Sequence, residues 1–275
     1  MRNPIGMFDS GLGGLTVAGE LLRQLPNESI IYFADTAHVP YGERPLAEIE
    51  EFALGITQFL IEQGAKAVVM ACNMSSAAAL SSARETFPDI PILGVIGPGS
   101  RAAVGSGAKS IGVLATTGTV KSGAYSRIIK ELNPDCEVLE QPCPPFVPLV
   151  EAGLAESEEA EVAVRSCVEP LLANGIQAVV LGCTHYPFLR PAIGRTAPNV
   201  QIIDPAEETV RELHNILEER GITAHNDEAA EHIFYASGDM DGFARLGSSF
   251  LGKDINHVRH AQWGVDLMPR AKSRI

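Results

Sequence analysis

The sequence predicts an α/β protein built on two similar parallel sheets. Three observations carry that reading. Short apolar runs alternate with longer helix-like segments. Those runs are apolar throughout instead of alternating with polar residues. The whole pattern then begins again midway along the chain. Continuously apolar strands are covered on both faces, as in parallel sheets closed by crossover helices.

Along the N-terminal part, "IGMF" (5–8) reads as a strand and "GGLTVAGELLRQLP" (13–26) as a helix, with apolar residues at helical spacing and Pro26 after its end. A strand "SIIYFAD" (29–35) and a long helix "RPLAEIEEFALGITQFLIEQG" (44–64) closed by Gly64 follow. Then come a strand "AKAVVMAC" (65–72), a helix "MSSAAALSSARETFP" (74–88) and a strand "IPILGVI" (90–96).

The second copy opens at "IGVLAT" (111–116), which matches "IGMFDS" (5–10). "GIQAVVLGCT" (175–184) matches "GAKAVVMACN" (64–73), and "VQIIDPA" (200–206) is similar to "ILGVIGP" (92–98). A period of about 106 to 111 residues is too long for a solenoid and indicates two copies of one domain. After them come a helix at 207–221, a strand "EHIFYAS" (231–237) and a terminal helix near 240–251; the strand is expected to complete the first sheet. The expected domains are 1–96 plus 207–275, and 97–206, both flavodoxin/Rossmann-like and related by a pseudo-two-fold axis. Without a Ser- or Pro-rich linker, they are expected to pack with the active site in a cleft between them.

A formal charge of -13 argues against nucleic acid as a partner, because backbone binding needs clustered Lys and Arg. No apolar run is long enough to cross a membrane, and the N-terminus lacks the shape of a signal peptide. A cytoplasmic protein is expected, and its five cysteines are therefore read as free thiols. Their spacing fits no zinc pattern, so no metal site is expected.

Ligands of open α/β sheets sit beyond the carboxyl ends of the strands. Cys72, Cys183, Asp9, Asp35 and Asp204 all follow apolar runs, at strand ends. Two thiols on opposite faces of one ligand suit proton removal from a tetrahedral carbon on one side and proton delivery on the other. A thiol ordinarily titrates near pH ~8.5, low enough to be tuned towards neutrality by its surroundings. Cys136, Cys143 and Cys167 read instead as small core residues.

"FDSGLGG" (8–14) is a strand–turn–helix whose turn amides and helix N-terminus favour a carboxylate, with Ser10 adding a hydroxyl. Asp9 can hold an ammonium or orient a thiol. A dinucleotide fingerprint fails on spacing, because Thr16 stands where the last glycine belongs. Tyr41 and the amide of Gly42 sit in a loop broken by Pro40 and are plausible ligand contacts. Glu151 can pair with His185 and set its tautomer, or simply start a solvated helix. The remaining histidines (His38, His214, His225, His232, His257 and His260) show no ligand spacing and receive no role.

The motifs "IGMFDSGLGGLTV", "YFADTAHVPYG", "ACNMSSA", "PLVEAG", "LGCTHYPFL" and "IIDPA", in this order, resemble those of the glutamate racemases, members of the cofactor-independent aspartate/glutamate racemase superfamily. The resemblance runs over essentially the whole chain. It implies Cys72 and Cys183 as the catalytic acid/bases, with Asp9 assisting Cys72, and His185, supported by Glu151, assisting Cys183. It implies substrate contacts from Asp9, Ser10, Tyr41, Gly42, Asn73, Met74, Thr184 and His185. It further implies no cofactor and no metal, a homodimer, and D-glutamate delivered to peptidoglycan synthesis. One position departs from the family pattern: Met74 stands where a threonine is usual, exchanging a hydroxyl for a thioether. That departure keeps open, as an alternative, a related racemase of another acidic amino acid such as aspartate. A binding protein that closes on an amino acid without chemistry, and a redox pair formed by the two thiols, are weaker rivals.

Overall fold

A computed structural model describes residues 3–224 and 230–270; His225 lies outside them. The chain divides into two compact units, one running up to Val95 and resuming at Thr209, the other Ile96–Glu208.

The first unit opens with β1 (Ile5–Asp9), α1 (Leu15–Gln24), β2 (Ile30–Ala34), α2 (Leu46–Glu62), β3 (Ala67–Met70), α3 (Asn73–Thr86) and β4 (Ile92–Gly94). The second contains α4 (Ile96–Gly105), β5 (Ser110–Ala115), α5 (Thr117–Ser122), α6 (Ala124–Leu132), β6 (Glu137–Pro142), α7 (Phe146–Glu151), α8 (Glu158–Ala173), β7 (Ala178–Gly182), α9 (Arg190–Thr196) and β8 (Gln201–Ile203). Helix α10 (Pro205–Glu219) carries the chain back to the first unit, which ends with β9 (His232–Ala236), α11 (Met240–Leu251) and β10 (Arg259–His260).

Both sheets are parallel throughout. The first has the order β10-β9-β2-β1-β3-β4, the second β6-β5-β7-β8. Position by position, β2-β1-β3-β4 and β6-β5-β7-β8 are the same order, so β1 corresponds to β5 and β3 to β7. The mixed α/β architecture read from the sequence is therefore present in both units.

Every residue of β1, β2 and β3 is buried, in keeping with their unbroken apolar sequences. Helix α2 lays Phe59 and Leu60 on this sheet, and the Phe59 ring meets Phe33 of β2 and Tyr235 of β9 edge-on, at 5.6 and 5.1 Å between centroids. Strand β9 pairs with β2 along its full length, from Ile30↔His232 to Ala34↔Ala236. The chain around 222–224 is fastened below it by a buried ion pair. Lys66 Nζ lies 2.6 Å from Glu28 Oε2 and donates to the Ile222 carbonyl, while Glu28 Oε1 accepts from the Ala224 amide.

Some boundaries differ from the sequence reading for local reasons. The helix expected at 207–221 begins at Pro205, because proline suits the first helical position and Asp204 Oδ1 accepts the Ala206 amide. Helix α2 begins at Leu46 because Pro45 is extended. Strand β6, "EVLEQP", has no counterpart in the sequence reading. It is an edge strand carrying two glutamates and mostly half-buried, so it lacks the apolar run that marks its neighbours. Among the described residues, no helix is long and apolar enough to cross a membrane.

Removing one partner of a buried ion pair strands the other charge. Lys66→Met is therefore expected to lower the stability of the first unit by about 3–5 kcal/mol. Urea unfolding measures this; a midpoint equal to the parent's would contradict it.

Candidate active site

Two thiols occupy equivalent places in the two sheets. Cys72 lies just past β3 and Cys183 just past β7, the strands that neighbour the corresponding β1 and β5 on the same side. Both are buried, at 6% and 8% exposure.

In the first unit, Cys72 is the N-cap residue of α3, extended at φ -82 and ψ 130. Its carbonyl accepts the Ser76 amide at 2.9 Å and the Ser76 hydroxyl at 2.8 Å, which anchors the turn. The first amides of α3 place partial positive charge beside the cysteine. Asn73 and Met74 form the first helical turn, both buried. Met74 joins Tyr41, Ile49, Phe52 and Cys72 in one apolar cluster, with Trp263 against its side. The thioether thus fills apolar space beside the thiol.

Asp9 ends β1 and is 1% exposed. Its Oδ2 accepts the Gly11 amide at 3.1 Å, while its buried Oδ1 has no hydrogen-bond partner. A buried acceptor left unpaired is costly and is the kind of group that a ligand's donor could satisfy. Ser10, half-buried, follows it. Gly14 is required here. A Cβ on it would lie 2.6 Å from Asp9 Cβ and 2.7 Å from the Tyr32 hydroxyl, which donates to the Gly11 carbonyl.

The loop after β2 brings in Tyr41 and half-buried Gly42, at the start of a single helical turn, Tyr41–Glu43. The Tyr41 hydroxyl donates to Asp35 Oδ2 at 2.6 Å. Burial, then the Asp35 charge, pushes the Tyr41 phenol well above its ordinary range. Asp35 is fully buried. Burial alone would raise its carboxyl; hydrogen bonds from His38, Tyr41, Ser237 and Trp263 outweigh that and hold it below the usual carboxylate range.

In the second unit, Cys183 Sγ lies 3.8 Å from His185 Nδ1, and His185 Nε2 lies 3.1 Å from Glu151 Oε1. Glu151 is the last residue of α7 and His185 is buried, so the contact joins two segments 34 residues apart. A carboxylate only accepts, so it selects the imidazole tautomer with the proton on Nε2 and turns the basic Nδ1 towards the thiol. Thr184 is buried between Cys183 and His185. Tyr186 braces the turn. Its hydroxyl donates to the Cys143 carbonyl at 3.1 Å and its ring meets Phe146 edge-on. Cys136, Cys143 and Cys167 are buried, and burial pushes the Cys143 thiol far up.

The structure therefore gathers Asp9, Tyr41, Asn73 and Met74 with Cys72 in one unit, and Glu151, Thr184 and His185 with Cys183 in the other. The sequence reading gave no role to Asp35, His38, Ser237 or Trp263. Asp35 ends its apolar strand as Asp9 does, and that parallel was the available signal.

A buried thiol at the equivalent strand end of each parallel sheet, one with an imidazole–carboxylate pair beside it, is equipment suited to an enzyme acting by acid/base chemistry at carbon. The model of the Asp/Glu/Hydantoin racemase family matches residues 14–213. A glutamate racemase of Exiguobacterium sibiricum is 45% identical over 261 residues, covering 94% of this chain and 96% of that one. A glutamate racemase of Microcystis aeruginosa is 48% identical over 251 residues, covering 91% and 88%. The crystal structure of glutamate racemase from Francisella tularensis, a complex with D-glutamate, superposes with a TM-score of 0.90 at 36% identity, covering 95% of this chain and 98% of that one. The chain belongs to the Asp/Glu/hydantoin racemase family and, within it, to the glutamate racemases. It is an isomerase, and specificity for another acidic amino acid is not favoured.

Glu151→Gln keeps an acceptor for His185 but removes its charge. It is expected to lower kcat for glutamate racemisation by about tenfold with KM nearly unchanged; circular dichroism of the substrate follows this, and unaltered kcat would remove Glu151 from the chemistry. The Asp35 carboxyl titrates below its unfolded value of about 3.9. Its contribution to stability is thus complete above that pH and is lost as pH falls through the lower folded value. The stability gap between the parent and Asp35→Asn should therefore narrow below about pH 4. A gap that stays constant on acidification would contradict the assignment.

Proposed function

We propose that the protein interconverts L- and D-glutamate by direct proton transfer at Cα, with Cys72 and Cys183 as the two acid/bases. The observation that carries this reading is the equivalence of the two thiols: each follows the same strand of the same sheet order, and an imidazole lies 3.8 Å from the sulfur of Cys183. Each half-site is assigned to one of two α/β domains, 1–96 plus 207–275 and 97–206. One cysteine, as thiolate, takes the α-proton and becomes a thiol. The electron pair left on Cα then accepts the proton of the other thiol from the opposite face, leaving that cysteine as thiolate. Protons balance, configuration inverts, and the two sulfurs exchange protonation states.

Asp9 serves the Cys72 side and the His185–Glu151 pair the Cys183 side. An α-proton beside an ionised carboxylate is a weak acid, so the developing charge needs donors aimed at it. Ser10, Asn73, Thr184 and the amides of Gly42 and Met74 are assigned to that task, with Tyr41 closing the pocket. The family usually has a threonine hydroxyl at position 74, and here the amide of Met74 alone remains. Family membership further supports a cytoplasmic homodimer that provides D-glutamate for peptidoglycan. Sedimentation showing only monomer at working concentration would remove the dimer.

Cys72→Ser and Cys183→Ser are each expected to lower racemisation by at least about a thousandfold, while deuterium exchange at Cα persists in one enantiomer only. Near-normal turnover in both directions by either variant would sink the two-thiol mechanism.

A further inference from the structure

The buried carboxylate of Asp35 lies beside the Cys72 cluster, and the proton transfers above make no use of it. Four side chains converge on it. Ser237 Oγ and Trp263 Nε1 donate to Oδ1, both at 2.7 Å. The Tyr41 hydroxyl donates to Oδ2 at 2.6 Å, and His38 Nδ1 lies 3.1 and 3.0 Å from the two oxygens. Because an ionised carboxylate accepts only, His38 carries its proton on Nδ1.

The donors fall into two groups. His38 and Tyr41 belong to the loop after β2. Ser237 and Trp263 belong to the C-terminal segment, more than 200 residues away in sequence. Ring contacts reinforce the junction. Phe52 stacks on His38 with centroids 4.0 Å apart and meets the Trp263 ring at 5.3 Å, while Phe52, Tyr41, Met74 and Cys72 share one apolar cluster. Ser237 also accepts the Ala37 amide, so the loop is held to the C-terminal segment at its backbone too.

We propose that Asp35 is a positioning residue of the Cys72 half-site: its two oxygens couple the substrate-facing loop at Tyr41–Gly42 to the C-terminal Ser237 and Trp263, so that the C-terminal segment sets where that loop stands. The proposal rests on the reading that Tyr41 and Gly42 contact glutamate. Its coupling element does not, because the two oxygens are shared whatever the ligand is.

The chain contains a single tryptophan, and its indole N–H is one of the donors, so Trp263 emission reads the junction directly. Asp35→Asn keeps one acceptor oxygen for Ser237 and Trp263 and turns an NH2 towards Tyr41. Tyr41→Phe removes only the far donor. Without ligand, Tyr41→Phe is expected to displace the Trp263 emission maximum although Tyr41 donates to the other oxygen. In the parent, D-glutamate is expected to change the same emission, and in Tyr41→Phe that change should be lost. Asp35→Asn should raise KM for both enantiomers by about tenfold, with kcat altered less than KM. Trp263→Phe, which leaves the carboxylate in place, should raise KM in the same sense.

Unchanged Trp263 emission in Tyr41→Phe would overturn the coupling. So would an Asp35→Asn protein whose kcat falls in proportion to its folded fraction while KM stays at the parent's value, which is the signature of a structural prop. If the parent racemised no glutamate, the proposed function would fail, and the ligand-free emission of Tyr41→Phe would still decide this inference on its own.

Discussion

All the chemistry depends on one constraint. Parallel neighbours cannot be joined by a tight turn, so each strand hands over to a crossover and all strands of a sheet end on the same edge. Asp9, Asp35 and Cys72 are brought to one edge because Asp9 ends β1 while Asp35 and Cys72 follow β2 and β3 of the same parallel sheet. Cys183 and Asp204 gain the same placement from β7 and β8. No long-range recognition is needed to assemble either group. Once the register of the strands is fixed by burial of their apolar residues, the polar residue that ends each run is fixed with it.

The two thiols sit in different surroundings. The Cys72 side relies on a helix N-terminus, a carboxylate with one unpaired oxygen and an apolar wall made by Met74, Phe52 and Tyr41. The Cys183 side relies on a buried imidazole turned by a half-exposed glutamate. In the two-thiol reading proposed above, the groups serving the two faces need not be alike, because each enantiomer would meet the two sulfurs in opposite order.

Sequence patterning revealed the interior more clearly than the rim. Strands β1, β3 and β7 were readable because burial on both faces demands unbroken apolar runs, and the duplicated "AVVMAC" and "AVVLGC" exposed both thiols at once. Strand β6 escaped because an edge strand tolerates Glu137 and Glu140. The pairing of Glu151 with His185 was readable as one of two options, since each residue has a clear chemical want but no fixed spacing between them. The meeting of Asp35 with Ser237 and Trp263 was readable only as far as the expectation that the strand at 231–237 completes the first sheet. Those side chains meet only because β9 lies beside β2, and sheet order leaves no trace in local sequence.

That placement of β9 has a consequence for how the chain comes to life. The unit Ile96–Glu208 owns all four of its strands as soon as residue 208 has left the ribosome. The earlier-made unit must wait. Its strand β2, apolar on both faces, keeps one flank of amides and carbonyls bare until residues 232–236 emerge and cover it. The first segment synthesised is thus the last to be finished, and the interval between is when the nascent protein is most open to sticking to its neighbours.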